Sequence, residues 1–181
     1  MSEIYFEKEL SYIEDEEVRN ECVEVLKHVN ENFYKAGASS TGKYHPDYAA
    51  GEGGLYRHTV AAVKIAKSLF QIYGFNTRDE SYIIAALILH DSCKHGKNWE
   101  SKYSKHEHPN LAKELIEEYA TDDAFKYVVG GMVARHMGQW TTCRWSKVKL
   151  EEPQNDMDLF VHLCDYLASR KFIDIKFEEE V

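Results

Sequence analysis

Apolar positions recur along most of the chain at the three-to-four-residue spacing of a helix buried on one face. Val18, Cys22, Val25, Leu26 and Val29 form one stripe. Val60, Val63, Ala66, Leu69 or Phe70, and Tyr73 form a second, which ends near Gly74. Leu111, Leu115, Ile116 and Tyr119 follow Pro109, and Phe125, Val128, Val129, Met132 and Val133 lead to His136. Leu159, Phe160, Leu163, Cys164 and Leu167 make the last stripe. Between Asp79 and His90 the pattern changes. Tyr82 to Leu89 are eight consecutive apolar or aromatic residues, with good helix formers and no two-residue alternation. That run predicts a helix buried on every side. No strand pattern of any length, no internal repeat and no low-complexity segment interrupts the series. Pro46, Pro109 and Pro153 fall where loops or helix starts are expected. The predicted fold class is all-α, a single-domain helical bundle, with residues 1–35 as an N-terminal helical segment packing on the core.

One stretch breaks the helical rhythm. "KAGASSTGKYHPDYAAGEGGLYRH", Lys35 to His58, holds five glycines, two serines, a threonine and a proline. A loop this long in a compact domain is usually functional or disordered, and its tyrosines and its position directly before a histidine favour function. Residues 36–57 are therefore read as a substrate loop. Ser39 and Ser40 hydroxyls, Lys43 and the glycine amides suit phosphate oxygens, and Tyr44 suits stacking on a base. "SSTGKYHP" lacks the frame of a phosphate-binding Walker loop. The tail, 173–181, is acidic and expected to fray.

A chain of 181 residues, 44% hydrophobic and 29% charged, is sufficient for one sizeable core. No apolar run approaches the ~20 residues that span a bilayer. The N-terminus "MSEIYFEKEL" lacks the basic start and apolar centre of a signal peptide, so a cytoplasmic protein without a membrane partner is expected. Cys22, Cys93, Cys143 and Cys164 form no C-x-x-C pair, which leaves reduced thiols as the simple expectation. The net charge of −9 argues against binding long nucleic acid, which needs a basic surface. A small anionic substrate fits if positive charge is concentrated locally, by metals for example. Nothing in the sequence conflicts with a homodimer.

The polar residues that break these stripes share one context. His58 stands near the opening of a predicted helix, and His90 with Asp91 closes the most apolar one. His108 precedes Pro109 at a helix start, His136 ends its stripe, and Asp165 interrupts an apolar helix. Charge placed among apolar neighbours is costly unless it is paired or holds a metal. Imidazole and carboxylate together suit divalent manganese, iron, zinc, cobalt or nickel rather than a soft thiolate site. His28, His162, His95 and His106 are read more simply, as caps or satisfied polar groups.

The ordered pattern "RHT", "HDSCK", "HP" before a helix, "RHMG" and "HLCDYLASR" resembles the HD-domain superfamily of metal-dependent phosphohydrolases. The resemblance covers about Leu55 to Arg170 and implies an HD-type metal-binding core over 55–172. It implies that His58, His90, Asp91 and Asp165 hold one metal, with Asp91 bridging to a second held by His108 and His136. His108 rather than His106 matches the family's ligand, because Ala112 supplies the small residue four positions into the following helix. Two divalent ions sharing a water lower its pKa toward neutrality, so a metal-bridging hydroxide is the expected nucleophile. Asp91 and Lys94 are the expected catalytic residues. Lys94 lies about one helical turn beyond Asp91 and stabilises transition-state charge, and related families often carry lysine there. Arg135 and Trp140 are further candidates for substrate contact, with phosphate and with a nucleobase. The implied activity is that of a binuclear phosphohydrolase or phosphodiesterase acting on a nucleotide or small phosphate ester. After His136 the chain reads "MGQWTTCRW" and lacks the GYP element, so cyclic di-GMP is not the leading substrate. The same ligand types also occur in di-iron, inositol-oxygenase-type HD proteins, and a non-catalytic nucleotide-binding module is the third alternative.

Overall fold

The computed structural model describes residues 5–39 and 45–173. Ser40, Lys43 and Tyr44, predicted to contact substrate, lie outside the described residues, as does the tail from 174 on. Among the described residues the chain is helical, without strands. Its helices are α1 (Glu7–Ser11), α2 (Glu16–Leu26), α3 (Asn32–Lys35), α4 (Gly54–Tyr73), α5 (Thr77–Leu89), α6 (His108–Tyr119), α7 (Asp123–Arg135) and α8 (Asp156–Ala168), with one 3-10 turn at Asp47–Ala49. Among the described residues no helix is long and apolar enough to cross a membrane.

Helix starts follow local chemistry. The Asp15, Asn76, Asp122 and Asn155 side chains accept hydrogen bonds from the first free backbone N–H groups of α2, α5, α7 and α8. Pro109 sits in the first turn of α6, where a missing N–H costs nothing. Gly74 closes α4 in the left-handed conformation, at φ 69°.

The fully apolar run predicted to be buried all round is α5, the central helix. Every residue from Ser81 to Leu89 is buried, and α1, α2, α4, α7 and α8 all pack on it. Each large side chain buried there contributes about 1.5–3 kcal/mol, which is why α5 can end in polar groups and still hold them rigidly. In α4 the core residue is Phe70, which stacks on Phe160 of α8 at 5.5 Å, while Leu69 only lines the margin.

The predicted α8 stripe is corrected in one respect. Phe160, Val161, Cys164 and Ala168 are buried, whereas Leu159 is 53% exposed. The rows 159–163–167 and 160–164–168 lie about 100° apart around the axis, and only the second faces the core.

The glycine-rich segment folds back onto the start of α4. The backbone N–H groups of Ala38, Gly53 and Leu55 donate to the carbonyls of Ala49, Lys35 and Ala36. The Arg57 guanidinium donates to the carbonyls of Tyr48, Ala50 and Glu52. Gly54 allows this approach, because a Cβ there would lie 2.2 Å from the Ala49 carbonyl oxygen. The Tyr48 hydroxyl donates to the Ala168 carbonyl at 2.6 Å, which ties the segment to the end of α8.

Candidate metal centre

Helix ends bring the six predicted ligands together. His58 lies one turn into α4, His90 caps the C-terminus of α5, and Asp91 follows it. His108 begins α6, His136 caps α7, and Asp165 lies in the last turn of α8. They form two groups, each able to direct its ligand atoms at one ion: His58, His90 and Asp165, and Asp91, His108 and His136. The four histidines and Asp91 are buried; the Asp165 side chain is 20% exposed and marks the opening.

Three of the histidines are built alike. His90, His108 and His136 each donate from Nδ1 to the carbonyl three residues earlier, that of Leu87, Lys105 and Val133, at 2.6, 2.6 and 2.7 Å. A carbonyl only accepts, so Nδ1 carries the proton in each. The Nε2 lone pair of the neutral ring is thereby turned into the site, the arrangement a metal-ligating imidazole requires. His58 differs: its Nδ1 is buried without a hydrogen-bond partner, and its Nε2 lies 2.9 Å from Asp165 Oδ1.

Asp91 divides the site. Its Oδ1 lies 3.0 Å from His108 Nε2 and 3.9 Å from His136 Nε2. Its Oδ2 lies 3.5 Å from His90 Nε2 and 4.0 Å from His58 Nε2, and it accepts a short hydrogen bond from Lys94 Nζ. Each oxygen therefore faces one group.

Two features show that a divalent cation fits. With both Nδ1 atoms donating, neutral His108 and His136 point Nε2 lone pairs at each other across 3.1 Å, an arrangement relieved only by a proton or a cation. His90 Nε2 is buried without a hydrogen-bond partner and stands 3.5 Å from both Asp91 and Asp165. Such an orphan is costly unless something binds it.

The protonation pattern follows. Burial disfavours the His90 cation, but the Asp91 and Asp165 carboxylates outweigh it and push its pKa up to about 10. Burial, reinforced by His90 and His108, pulls His136 down to about 3. Burial also opposes the Asp91 anion, yet Lys94, His90 and His108 hold it well below the usual carboxylate range. Asp165 is held low against burial by His58 and His90.

The remaining predicted contacts separate. Lys94, its side chain only 12% exposed, is paired with Asp91. Trp140 is 44% exposed and stacks on Tyr166, the neighbour of Asp165. The Arg135 guanidinium is held by Glu151 at 2.9 Å and by buried Asp158 at 3.3 Å. It is thus committed to anchoring the α7–α8 connection. Ser39 is the last described residue before position 40.

Three further histidines surround these ligands, His162 and His106 among them as satisfied polar groups. His45 packs its ring on His58, with centroids 5.3 Å apart, and its Nδ1 is buried without a partner. Its only sequence signal was its place in the glycine-rich loop. His162 donates from Nδ1 to the His136 carbonyl at 2.8 Å, and His106 donates from Nε2 to the Thr141 carbonyl at 3.2 Å. His106 therefore secures a loop, while His108 faces the site.

Residues 55–170, which include all six candidate ligands, match the family model described as HD domain. Among curated proteins, the dihydroneopterin 2',3'-cyclic phosphate phosphodiesterase of Methanocaldococcus jannaschii is 35% identical over 96 residues. The match covers 45% of this chain and 36% of that protein, so it spans about a third of the relative's length. No solved structure matches the chain.

Proposed function

This chain belongs to the HD domain family of metal-dependent phosphohydrolases, and from that premise we propose that it is a binuclear phosphodiesterase. Its substrate class is a small phosphate ester carrying a flat heteroaromatic ring, such as a nucleotide. The observation that carries this reading is Asp91, whose two oxygens face two different groups of buried ligands. His58, His90 and Asp165 would hold one ion and His108 and His136 the other, with Asp91 between them. Divalent ions held there supply Lewis-acid charge to the phosphoryl oxygens and acidify water.

The chain's own residues do the rest. The Leu87, Lys105 and Val133 carbonyls hold three imidazoles in the ligating tautomer. The buried walls exclude bulk water and so strengthen each charge in the site. Lys94 keeps Asp91 ionised and places an ammonium beside the position where phosphoryl charge develops. Asp165 marks the way in, and Trp140, stacked on the adjacent Tyr166, offers a face for the substrate's ring. The related archaeal enzyme's name describes a cyclic phosphate on a pterin, which agrees with a flat ring next to a phosphodiester.

The test is a turnover assay of manganese-loaded protein on linear and cyclic nucleoside phosphodiesters, phosphomonoesters and a nitrophenyl phosphodiester. Release of phosphate or phosphomonoester that vanishes with chelator supports the reading. Metal-loaded protein that turns over none of them refutes it.

A further inference from the structure

Residues 137–150 of the α7–α8 connection carry Arg144, Lys147 and Lys149 and no Asp or Glu, in a chain whose net charge is −9. All three cations are exposed, and among the described residues none has a carboxylate partner. This sets them apart from Lys97, Lys105, Lys113 and Arg135, each of which sits beside an acid. Glu151, the first acid that follows, is taken by Arg135. Between the cations lies Trp145, 78% exposed, with the Arg144 guanidinium 4.0 Å over its ring.

The root of this segment is fixed to the metal centre. Leu150 N–H and His106 Nε2 both donate to the Thr141 carbonyl, closing the loop at its base. Trp140 stacks on Tyr166, and His162 both holds the His136 carbonyl and packs against Gly138, where a Cβ would come within 2.4 Å of its ring. From Trp140 at the site's edge to Trp145 is five residues, ~17 Å at full extension.

We propose that this segment is a binding arm for single-stranded nucleic acid, leading a strand end to the metal centre. Cations that track a phosphate backbone, interleaved with exposed aromatic rings on which bases stack, are what strand recognition without sequence preference requires. The charge is local: an acidic body repels long duplexes, while this arm attracts a few nucleotides. A membrane surface also takes tryptophan and lysine, but an arm rooted beside a phosphodiester site favours the strand. The fate of the strand rests on the phosphodiesterase reading; its binding does not.

The experiment is fluorescence anisotropy of the full chain, in chelator, with a fluorescein-labelled single-stranded RNA of about ten nucleotides. A mononucleotide serves as competitor, and anionic vesicles are titrated in parallel. Binding should be tighter for the oligonucleotide than for the mononucleotide, and Trp145→Ala should weaken it about tenfold. Log affinity should fall with log salt at a slope of about −2, for three phosphate contacts at ~0.7 each, and become shallower with Lys147→Ala and Lys149→Ala. Trp145→Ala should leave hydrolysis of a nitrophenyl phosphodiester unchanged. An oligonucleotide that binds no better than the mononucleotide, insensitivity to Trp145→Ala, or binding to vesicles alone would overturn the proposal. Because the titration needs no metal, its failure is separate from failure of the catalytic reading.

Discussion

Asp91 and Lys94 are where the account is most exposed to mutation. Lys94→Ala removes an ammonium without removing a ligand, so metal content should be kept while kcat falls by about 10²–10³; elemental analysis beside steady-state kinetics checks this. Equal loss of metal and rate would make Lys94 merely a support for Asp91. His90 supplies a pH prediction. Its pKa is pushed up to about 10 in the metal-free site, so the ring is protonated at pH 7 and must lose that proton to ligate. Metal uptake near pH 7 should release about one proton, and affinity should rise about tenfold per pH unit until pH 10 is approached. Calorimetry in buffers of different ionisation enthalpy measures the release. The six candidate ligands were legible because each interrupts an apolar stripe at or near a helix end. His45 was not: its contact with His58 depends on a loop path that no periodicity encodes. The pairing of Arg135 with Glu151 and Asp158 was not legible either, because those acids lie beyond a connection whose course the sequence does not reveal.

The centre is built from helix ends, so moving an end should move a ligand. Gly54 is the sharpest case, since a Cβ would lie 2.2 Å from the Ala49 carbonyl oxygen. Gly54→Ala should cost about 1–3 kcal/mol and weaken metal retention by shifting His58; chemical denaturation and metal content read the two effects. Replacing the Asn76 cap by Ala should cost only about 1 kcal/mol and leave metal binding intact, because packing on every side fixes α5. The long helices were legible for the same reason: α5 is one unbroken apolar run, and α4 and α7 keep a clear stripe. In α8 two neighbouring apolar rows compete, and packing against Phe70, Tyr73 and Phe75 decides for Phe160 over Leu159.

The whole molecule surrounds one apolar helix and gathers charge where that helix ends. Two ions held between them by the ends of five helices would bind the native state alone, so they would stabilise the entire fold. At about a hundredfold excess over its dissociation constant each should add about 2.7 kcal/mol, and chelator should lower the melting temperature accordingly. An unchanged melting temperature would mean that the buried histidines are satisfied by protons. The most direct test of the central claim is metal content per chain, by elemental analysis of untagged protein and of Asp91→Ala after incubation with manganese. The account predicts about two ions in the parent and close to none in the variant, because Asp91 faces both groups. One ion in the parent, or two retained by Asp91→Ala, would contradict the shared carboxylate and the binuclear mechanism with it.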